Sequence, residues 1–352
     1  MSEETTAMEN TAADQNASDV LLEVKNLQVA FRNGDKLVPT IRGISYTLHK
    51  GEIFGLVGES GSGKSISSNA IIRLLPSNAV ITGGEILFEG KDVLKMSKKE
   101  VQKLRGSRIS EIFQDPMTSL DPLFTIGYML DEVLKKHTDL DKEGRKRRSL
   151  ELLEMVGINQ PERRLKQYPH EFSGGMQQRA MIAMALACNP ELLIADEPTT
   201  ALDVTIQAQI MDLLKSLSKQ LHTAIILITH DLGVVADICD RVAVMYAGEI
   251  VETGNRRDIF YHHEHPYTKG LLDSVPGIDD DTNRPLIPIR GNPPEMSRIG
   301  SECAFARRCP YAMNICARQN PEELSVGEGH SVRCWLTVRR LMEEQKQENA
   351  KR

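Results

Sequence analysis

A glycine-rich segment, GESGSGKS, occupies Gly58–Ser65 and matches the pattern G-x-x-x-x-G-K-[ST]. Glycines in such a segment let backbone N–H groups curl around phosphate oxygens, and the helix that follows presents its N-terminus to the same anion. In this pattern Lys64 would reach the outer phosphates and Ser65 would ligate Mg²⁺. The residues expected to surround the phosphates are Gly58, Glu59, Ser60, Gly61, Ser62, Gly63, Lys64 and Ser65. The alternative is a glycine turn without a ligand, which the placement of the segment after an apolar run disfavours.

Two carboxylates follow the apolar run LLIA, namely Asp196 and Glu197. A carboxylate at the end of an apolar run is costly unless it meets a cation, so a Mg²⁺ held by Ser65 and Asp196 is a natural interpretation. Glu197 lies one residue further and can polarise a water for attack on the terminal phosphate. An apolar run that ends in two acidic residues is a weak signal alone. Its value comes from its position downstream of the phosphate-binding loop.

A histidine, His230, ends the next apolar run, ILIT. A single histidine at such a position is more often structural than catalytic. Here it precedes Asp231 at the edge where the phosphates are expected to lie. We therefore favour a contact between His230 and the terminal phosphate.

The elements that position these residues follow an α/β order. Glu52–Val57 is a short apolar run that predicts a buried parallel strand, and Ser65–Leu75 has helical spacing. Strand, glycine loop and helix form the context that a phosphate-binding loop requires. Leu192–Ala195 and Ala224–Thr229 predict two further buried strands. Their carboxyl ends carry the acidic pair and the histidine, at the edge where open α/β sheets bind ligands.

Other patterns predict the remaining parts of the fold. Leu21–Phe31 and Gly83–Gly90 alternate like half-buried strands, and Arg241–Glu252 predicts a hairpin through Ala247–Gly248. The chain is mostly helical in pattern between about residues 125 and 187, so we expect a helical subdomain at about 116–187. Prolines and cysteines become frequent beyond Tyr261. We therefore expect a leader at 1–19, a main domain at 20–262 and an extension at 263–352.

The composition excludes some function classes. The 352 residues carry a formal net charge of -6, which argues against nucleic acid as a ligand. No apolar run approaches the ~20 residues that a membrane-spanning helix needs. The first 19 residues are polar and acidic, unlike a signal peptide, and predict a disordered leader. We therefore expect a soluble protein of the cytoplasm.

The sequence resembles the ATP-binding subunits of ABC transporters over about Leu21–Gly254. FSGGMQQR, at Phe172–Arg179, resembles the signature motif of that family, LSGGQ, and departs from it at Phe172 and Met176. The resemblance implies that ATP is hydrolysed between two such subunits. It implies that Ser173, Gly174 and Gly175 contact the γ-phosphate of the ATP held by the other subunit. Without the upstream loop, the same residues could equally be a helix N-cap followed by glycines.

The resemblance also assigns residues outside the signature. Gln114 matches the glutamine that joins the Mg²⁺ site to the transmembrane subunits, so it is expected to be a Mg²⁺ ligand together with Ser65 and Asp196. Asp203 matches the residue of the family's D-loop, and Phe31 falls where an aromatic ring stacks on adenine. The implied fold is a P-loop NTPase of the ABC type: a RecA-like parallel-sheet core with an N-terminal antiparallel β subdomain and a helical subdomain. The implied cofactors are ATP and Mg²⁺. Lys64, Gln114, Glu197 and His230 are then the residues of hydrolysis.

Two segments resemble one branch of the family, the oligopeptide and dipeptide importers: Phe113–Gly127 and His265–Leu272. That branch implies uptake of peptides, with a second ATPase subunit in a heterodimer, two membrane permease subunits and, indirectly, a solute-binding protein. The ATPase would lie at the cytoplasmic face of the membrane as a peripheral protein. Uptake of nickel or another small solute is an alternative within the branch. A soluble ABC-type ATPase or a catalytically silent partner is an alternative outside it.

The extension contains four cysteines, Cys303, Cys309, Cys316 and Cys334. In a reducing cytoplasm four clustered cysteines favour a metal site over two disulfides. Four thiolates suit a [4Fe–4S] cluster or zinc. The absence of tight C-x2-C pairs and the proline after Cys309 favour the cluster, with zinc or unligated thiols as alternatives.

Overall fold

The computed structural model describes residues 19–200, 202–274 and 288–351. The predicted leader lies outside this range except for Asp19, and Ala201 lies outside it too. The alternating N-terminal segments form a four-stranded antiparallel sheet because their apolar residues share one buried face. In spatial order its strands are β2 (Lys36–His49), β1 (Val20–Asn33), β4 (Ala79–Phe88) and β5 (Lys91–Asp92).

The main sheet of the described residues has eight strands, and its centre is parallel. Strand β3 (Ile53–Val57) lies in the middle and is buried along its whole length. The sheet order is β11 (Leu324–Gly327), β12 (His330–Val332), β10 (Glu249–Asn255), β9 (Arg241–Tyr246), β3 (Ile53–Val57), β8 (Ala224–Thr229), β7 (Leu192–Asp196) and β6 (Ile109–Ile112). The parallel register brings the carboxyl ends of β3, β7 and β8 together, which confirms the predicted fold class.

Ten helices of the described residues connect these strands and form the helical region, and two more follow in the extension. The first turns of several of these helices are closed by side chains such as Thr125, Asp141 and Ser173, which each accept a hydrogen bond from a backbone N–H. The first ten are α1 (Lys64–Ile71), α2 (Lys98–Leu104), α3 (Pro116–Ser119), α4 (Ile126–His137), α5 (Lys142–Met155), α6 (Pro161–Arg164), α7 (Gly174–Ala185), α8 (Val204–Leu221), α9 (Leu232–Ile238) and α10 (Arg256–Tyr261). Helix α1 ends four residues before the predicted Leu75, because Arg73 adopts a left-handed backbone conformation (φ 54°).

The extension packs on the main sheet instead of standing apart. It contains α11 (Pro266–Asp273), the β11–β12 hairpin and α12 (Trp335–Lys351). Strand β12 pairs with β10, so the extension adds two strands to the edge of the sheet. Phe305 joins the hydrophobic core of the parallel sheet.

A buried ion pair joins the extension to the sheet. His330 Nε2 lies 2.9 Å from Glu252 Oε1, and the same carboxylate accepts hydrogen bonds from the backbone N–H groups of Glu264 and His265. These bonds hold the pKa of Glu252 below its ordinary value although burial opposes them, and the Glu252 carboxylate raises the pKa of His330. The charged pair of His330 and Glu252 therefore holds β12 against β10.

Substituting His330 with glutamine is expected to destabilise the protein most between about pH 4.5 and 6.5, the ordinary values of the two groups. The raised pKa of His330 means that its stabilisation is present below pH 6.5 and is lost as the pH rises through the raised value. The lowered pKa of Glu252 means that its stabilisation is lost as the pH falls through the lowered value. We expect a difference of about 1 kcal/mol in the free energy of unfolding, measured by denaturant titration across pH. His262→Gln, on an exposed residue, is the control; a pH-independent difference would contradict the ion pair.

Within the described residues, none of the helices is both long and apolar enough to cross a bilayer.

Candidate active site

The phosphate-binding loop lies between β3 and α1, and its glycines are required by geometry. Gly58, Gly61 and Gly63 have φ values of 152°, 79° and 104°. A Cβ atom at Gly58 would lie 2.2 Å from the carbonyl oxygen of Met245, and one at Gly63 would lie 2.5 Å from Cδ1 of Ile41. Side chains therefore cannot be accommodated at these positions without displacing the loop.

Helix α1 begins without a side-chain cap, and its first turn contains no acidic residue. Its N-terminal N–H groups and the helix dipole are thus available to an anion. Lys64 donates from Nζ to the carbonyl oxygens of Gly58 and Glu59, at 2.8 and 3.1 Å. Burial lowers the pKa of Lys64, while the carboxylates of Glu197, Asp196 and Glu59 oppose that shift. The ammonium is therefore held at the loop where phosphate charge is expected.

The residues present fit a magnesium ion. Burial raises the pKa of Asp196, and a hydrogen bond with Ser65 works in the opposite direction. Oδ1 of Asp196 is buried and has no hydrogen-bond partner among the described residues. A buried carboxylate oxygen without a partner beside a hydroxyl is the donor set that Mg²⁺ takes in phosphate sites.

Three side chains converge on the carboxylate of Glu197. Gln114 Nε2 and Thr200 Oγ1 each donate to Glu197 Oε2 at 2.9 Å, and His230 Nδ1 lies 3.3 Å from Oε1. Glu197 itself has a φ of 45°, a left-handed conformation that is uncommon for glutamate and is found in functional sites. Gln114, predicted as a metal ligand, contacts this carboxylate and not Asp196. The carboxylate of Glu197 is thus held from both sides.

A cleft of about 680 Å³ unites most of the predicted residues. Its volume suits a nucleotide-sized ligand. It is lined by Phe31, Thr40, Ser60, Gly61, Gly63, Lys64, Ser65, Ile66, Gln114, Glu197 and His230. Gly58 and Ser62 belong to the same loop but do not line the cleft. Glu59 does not line it either, because its backbone N–H donates to Tyr267 and its carboxylate binds Arg308.

Two residues near the site were missed from the sequence. Thr200 holds Glu197, as described above. Glu111 lies on β6, where burial and the charge of Asp196 raise the pKa of its carboxyl to about 7. Its position inside the apolar run ISEI was the available signal, because a carboxylate within a buried strand needs an explanation.

The signature segment lies elsewhere on the surface. Ser173 and Gly174 are exposed, and neither they nor Gly175 lines the cleft. Ser173 caps α7 by accepting from the N–H of Met176 at 3.4 Å. Asp203 caps α8 and is also exposed. The signature residues are therefore free to contact another molecule.

The four cysteines do not support the predicted cluster. Among the described residues, no group of three or more His, Cys, Asp or Glu side chains is placed so that it could hold a metal ion. Burial raises the pKa of Cys303 to about 12 and also raises the pKa values of Cys309 and Cys334. The neighbouring thiols of Cys309, Cys316 and Cys334 add to the shift of Cys303. Because no such group is present among the described residues, the prediction of [4Fe–4S] or zinc is not supported by the geometry.

Comparisons with known proteins agree with the geometry of the cleft. A family model described as ABC transporter matches residues 41–200, and one described as oligopeptide/dipeptide transporter, C-terminal region, matches residues 251–316. The chain is 55% identical to the oligopeptide transport ATP-binding protein OppD of Bacillus subtilis, over 90% of this chain and 88% of that protein. It is 52% identical to the dipeptide transport ATP-binding protein DppD of the same organism, over 91% and 96%. Against OppD of Escherichia coli it is 49% identical, over 93% and 96%.

Solved structures give the same result for the fold. The dimeric post-hydrolysis state of the ATP-binding cassette MJ0796, bound to ADP and Pi, is 30% identical, with a TM-score of 0.61. The similarity covers 67% of this chain and 99% of that one. CbiO1 from Clostridium perfringens, described as part of the ABC transporter complex cbiONQ, is also 30% identical with a TM-score of 0.60, over 69% and 91%.

Proposed function

The chain belongs to the ATP-binding subunits of ABC transporters, in the branch of the oligopeptide and dipeptide transport ATP-binding proteins, and from that premise we propose that its ATP hydrolysis drives uptake of short peptides. Its ATPase activity follows from the family. The observation that carries the proposal is the convergence of Gln114, Thr200 and His230 on Glu197, beside Lys64 in one cleft. Similarity to relatives named for both oligopeptides and dipeptides supports peptides as the transported solute.

In the proposed mechanism the loop and α1 bind the triphosphate, and Lys64 neutralises charge on its outer phosphates. Ser65 and Asp196 would hold Mg²⁺, which neutralises charge on the β- and γ-phosphates when bound. Phe31 lines the cleft, where it would stack on adenine.

Glu197 acts as the general base. It accepts a proton from the attacking water, whose oxygen bonds to the γ-phosphorus while the bond to the ADP oxygen breaks. Gln114 and His230 orient the carboxylate from its two oxygens, and His230 lines the same cleft, where it would contact the terminal phosphate.

The signature residues Ser173–Gly175 complete the site of a paired subunit. Their exposure and their separation from the cleft of their own chain support this division. ATP bound at one subunit's loop and capped by the other's α7 N-terminus then drives closure of the pair.

The proposed assembly contains a second, non-identical ATPase subunit, two membrane permease subunits and, indirectly, a solute-binding protein. The chain would act peripherally at the cytoplasmic face of the membrane. The relatives named for peptide transport favour this assembly over a nickel importer and over a soluble ABC-type ATPase.

Peptide uptake in a strain that lacks the chain tests the proposal. We expect uptake of labelled di- and oligopeptides to be lost on deletion, restored by the wild-type chain and not restored by Glu197→Gln. Nickel uptake serves as the parallel measurement. Retention of peptide uptake would overturn peptide as the solute, and loss of nickel uptake in the same strain would make nickel the solute instead.

The described geometry does not support a metal at the four cysteines, and the proposed transport function does not depend on one. Iron, acid-labile sulfide and zinc measured on anaerobically purified protein decide it. The [4Fe–4S] hypothesis requires equal amounts of iron and sulfide; zinc alone would replace it, and neither metal would end it.

A further inference from the structure

One residue of the phosphate-binding loop, Glu59, is held by two residues of the extension. Arg308 binds the Glu59 carboxylate with both terminal nitrogens, at 2.5 and 2.9 Å. Tyr267 accepts the backbone N–H of Glu59 on its hydroxyl oxygen at 2.8 Å. Tyr267 and Arg308 lie 208 and 249 residues from Glu59 in the sequence, so the fold brings them to the loop. A two-nitrogen contact with a carboxylate fixes direction as well as distance.

Arg308 is itself rigidly placed. Its side chain is 5% exposed, and its Nε donates to the carbonyl oxygen of Arg290 at 3.0 Å. Its guanidinium lies 5.7 Å from the centre of the Tyr246 ring and donates to the Tyr246 hydroxyl at 3.3 Å. With its nitrogens occupied in this way, Arg308 cannot follow Glu59 if the loop moves. The loop must remain where Arg308 holds it, or the pair must break.

Three buried aromatic rings support both contacts. The ring centres of Tyr246, Tyr267 and Phe305 lie between 4.6 and 5.3 Å apart. Tyr246 ends the core strand β9, Tyr267 lies on α11, and Phe305 precedes Arg308 by three residues. All three rings are buried. Packing of this kind leaves few alternative side-chain positions, so the three rings hold Arg308 and Tyr267 in fixed positions.

Glu59 connects the extension to Lys64. Lys64 donates to the carbonyl oxygen of Glu59, while the N–H and carboxylate of Glu59 bind the extension. The Glu59 residue thus lies between the extension and the ammonium group that is expected to meet the phosphates. A shift of this residue would move the carbonyl groups that position Lys64.

We propose that the extension acts as a clamp on the phosphate-binding loop, with Arg308 and Tyr267 as positioning residues that pre-form the loop for ATP. The clamp consists of Arg308, Tyr267 and Glu59. It rests on the proposed ATP chemistry and goes beyond it, because it gives residues far from the cleft a role in nucleotide affinity. A pre-formed loop binds more tightly because binding does not have to order it. Removing the clamp therefore weakens ATP binding more than it slows the chemical step.

The first test is ATP affinity of the full chain, measured by calorimetry with Mg²⁺ and ATP. Arg308→Gln is expected to raise the Kd by about tenfold or more, since it removes a buried charged hydrogen-bond pair. Arg340→Gln is the matched control, because Arg340 forms an Arg–Glu pair with Glu264 that does not touch the loop. The control should leave the Kd within about twofold. Equal affinity of Arg308→Gln and wild type would overturn the clamp, whereas a wild type that bound no ATP would overturn the ATPase site instead.

The second test separates positioning from folding. Tyr267→Phe removes one hydroxyl and conserves volume, so it keeps a folded variant available if Arg308→Gln unfolds. We expect its Kd to rise by about three- to tenfold while kcat changes less than the Kd. A double-mutant cycle combines Glu59→Gln with Arg308→Gln. Because either substitution alone already breaks the pair, the Kd of the double variant for ATP should not exceed the higher Kd of the two single variants. Additive losses in the cycle, or an unchanged Kd for Tyr267→Phe, would contradict the clamp.

Discussion

Glu197→Gln is expected to reduce steady-state ATP hydrolysis by about 10²–10⁴-fold, which is the usual contribution of a general base. The amide conserves the volume of the side chain, and its oxygen can still accept from Gln114 and Thr200, which donate to the carboxylate at 2.9 Å. It cannot take a proton from water. ATP should therefore bind with a Kd close to that of the wild type but not be cleaved. Because ATP-driven closure is then not reversed by hydrolysis, the variant should accumulate as an ATP-bound pair.

Phosphate release at saturating ATP and light scattering coupled to size-exclusion chromatography measure the two effects. Glu154→Gln makes the same chemical change on an exposed residue of α5 and is the control for stability. A wild-type rate for Glu197→Gln would remove Glu197 from the role of base. Lost hydrolysis together with lost ATP binding would mean that the carboxylate serves the binding site and not the water.

Much of the site could be predicted because its parts are local in sequence. Gly58–Ser65 carries its own loop geometry, and three apolar runs predict the strands β3, β7 and β8 that present it. The carboxyl ends of parallel strands must lie at one edge, so the meeting of Lys64, Glu197 and His230 followed from the order of elements.

The contacts that could not be predicted join segments far apart in sequence. Neither the Arg308–Glu59 pair nor the pairing of β12 with β10 has a periodic pattern that would reveal its partner. Thr200 was missed for a related reason: its hydroxyl donates to the Glu197 carboxylate in a turn where Glu197 has a left-handed conformation, and the sequence does not predict that conformation for a glutamate. Sequence periodicity reports burial, and it does not report which buried groups meet.

The two departures from the signature motif have a structural explanation. Phe172 is buried in the core beneath Arg164, and Met176 packs against the same core. The two positions that depart from the family pattern therefore lie on the face of the segment that packs against the core. Ser173 and Gly174, which match the pattern, are at the surface. This arrangement leaves the surface expected to meet a paired subunit's nucleotide intact, and it motivates a direct test.

Mixing two inactive variants of the purified chain, without the second ATPase subunit so that copies of the chain pair with each other, is expected to restore hydrolysis. Lys64→Ala removes the phosphate contact of a subunit's own cleft, and Ser173→Asp places a negative charge where the paired subunit's γ-phosphate should lie. Each variant alone should lose at least about 100-fold of its activity. A mixed pair contains one Lys64→Ala subunit and one Ser173→Asp subunit, and each of its two sites combines the loop of one subunit with the signature of the other. One site therefore contains both substitutions, and the other site contains neither. An equal mixture should therefore regain about a quarter of the wild-type rate, since about half of the pairs are mixed and each has one intact site of two.

The choice of aspartate makes the test specific to charge. Ser173 caps α7, and aspartate and asparagine cap helices about as well as serine, so neither substitution should cost stability through the cap. Ser173→Asn is thus the control, and the difference between aspartate and asparagine measures repulsion from phosphate. ATP should bind Ser173→Asp with an unchanged Kd, because Ser173 does not line the cleft of its own chain. If the mixture stayed as inactive as either variant alone while the wild-type chain on its own hydrolysed ATP, the signature would act within its own subunit, and the division of the site between two subunits would be wrong.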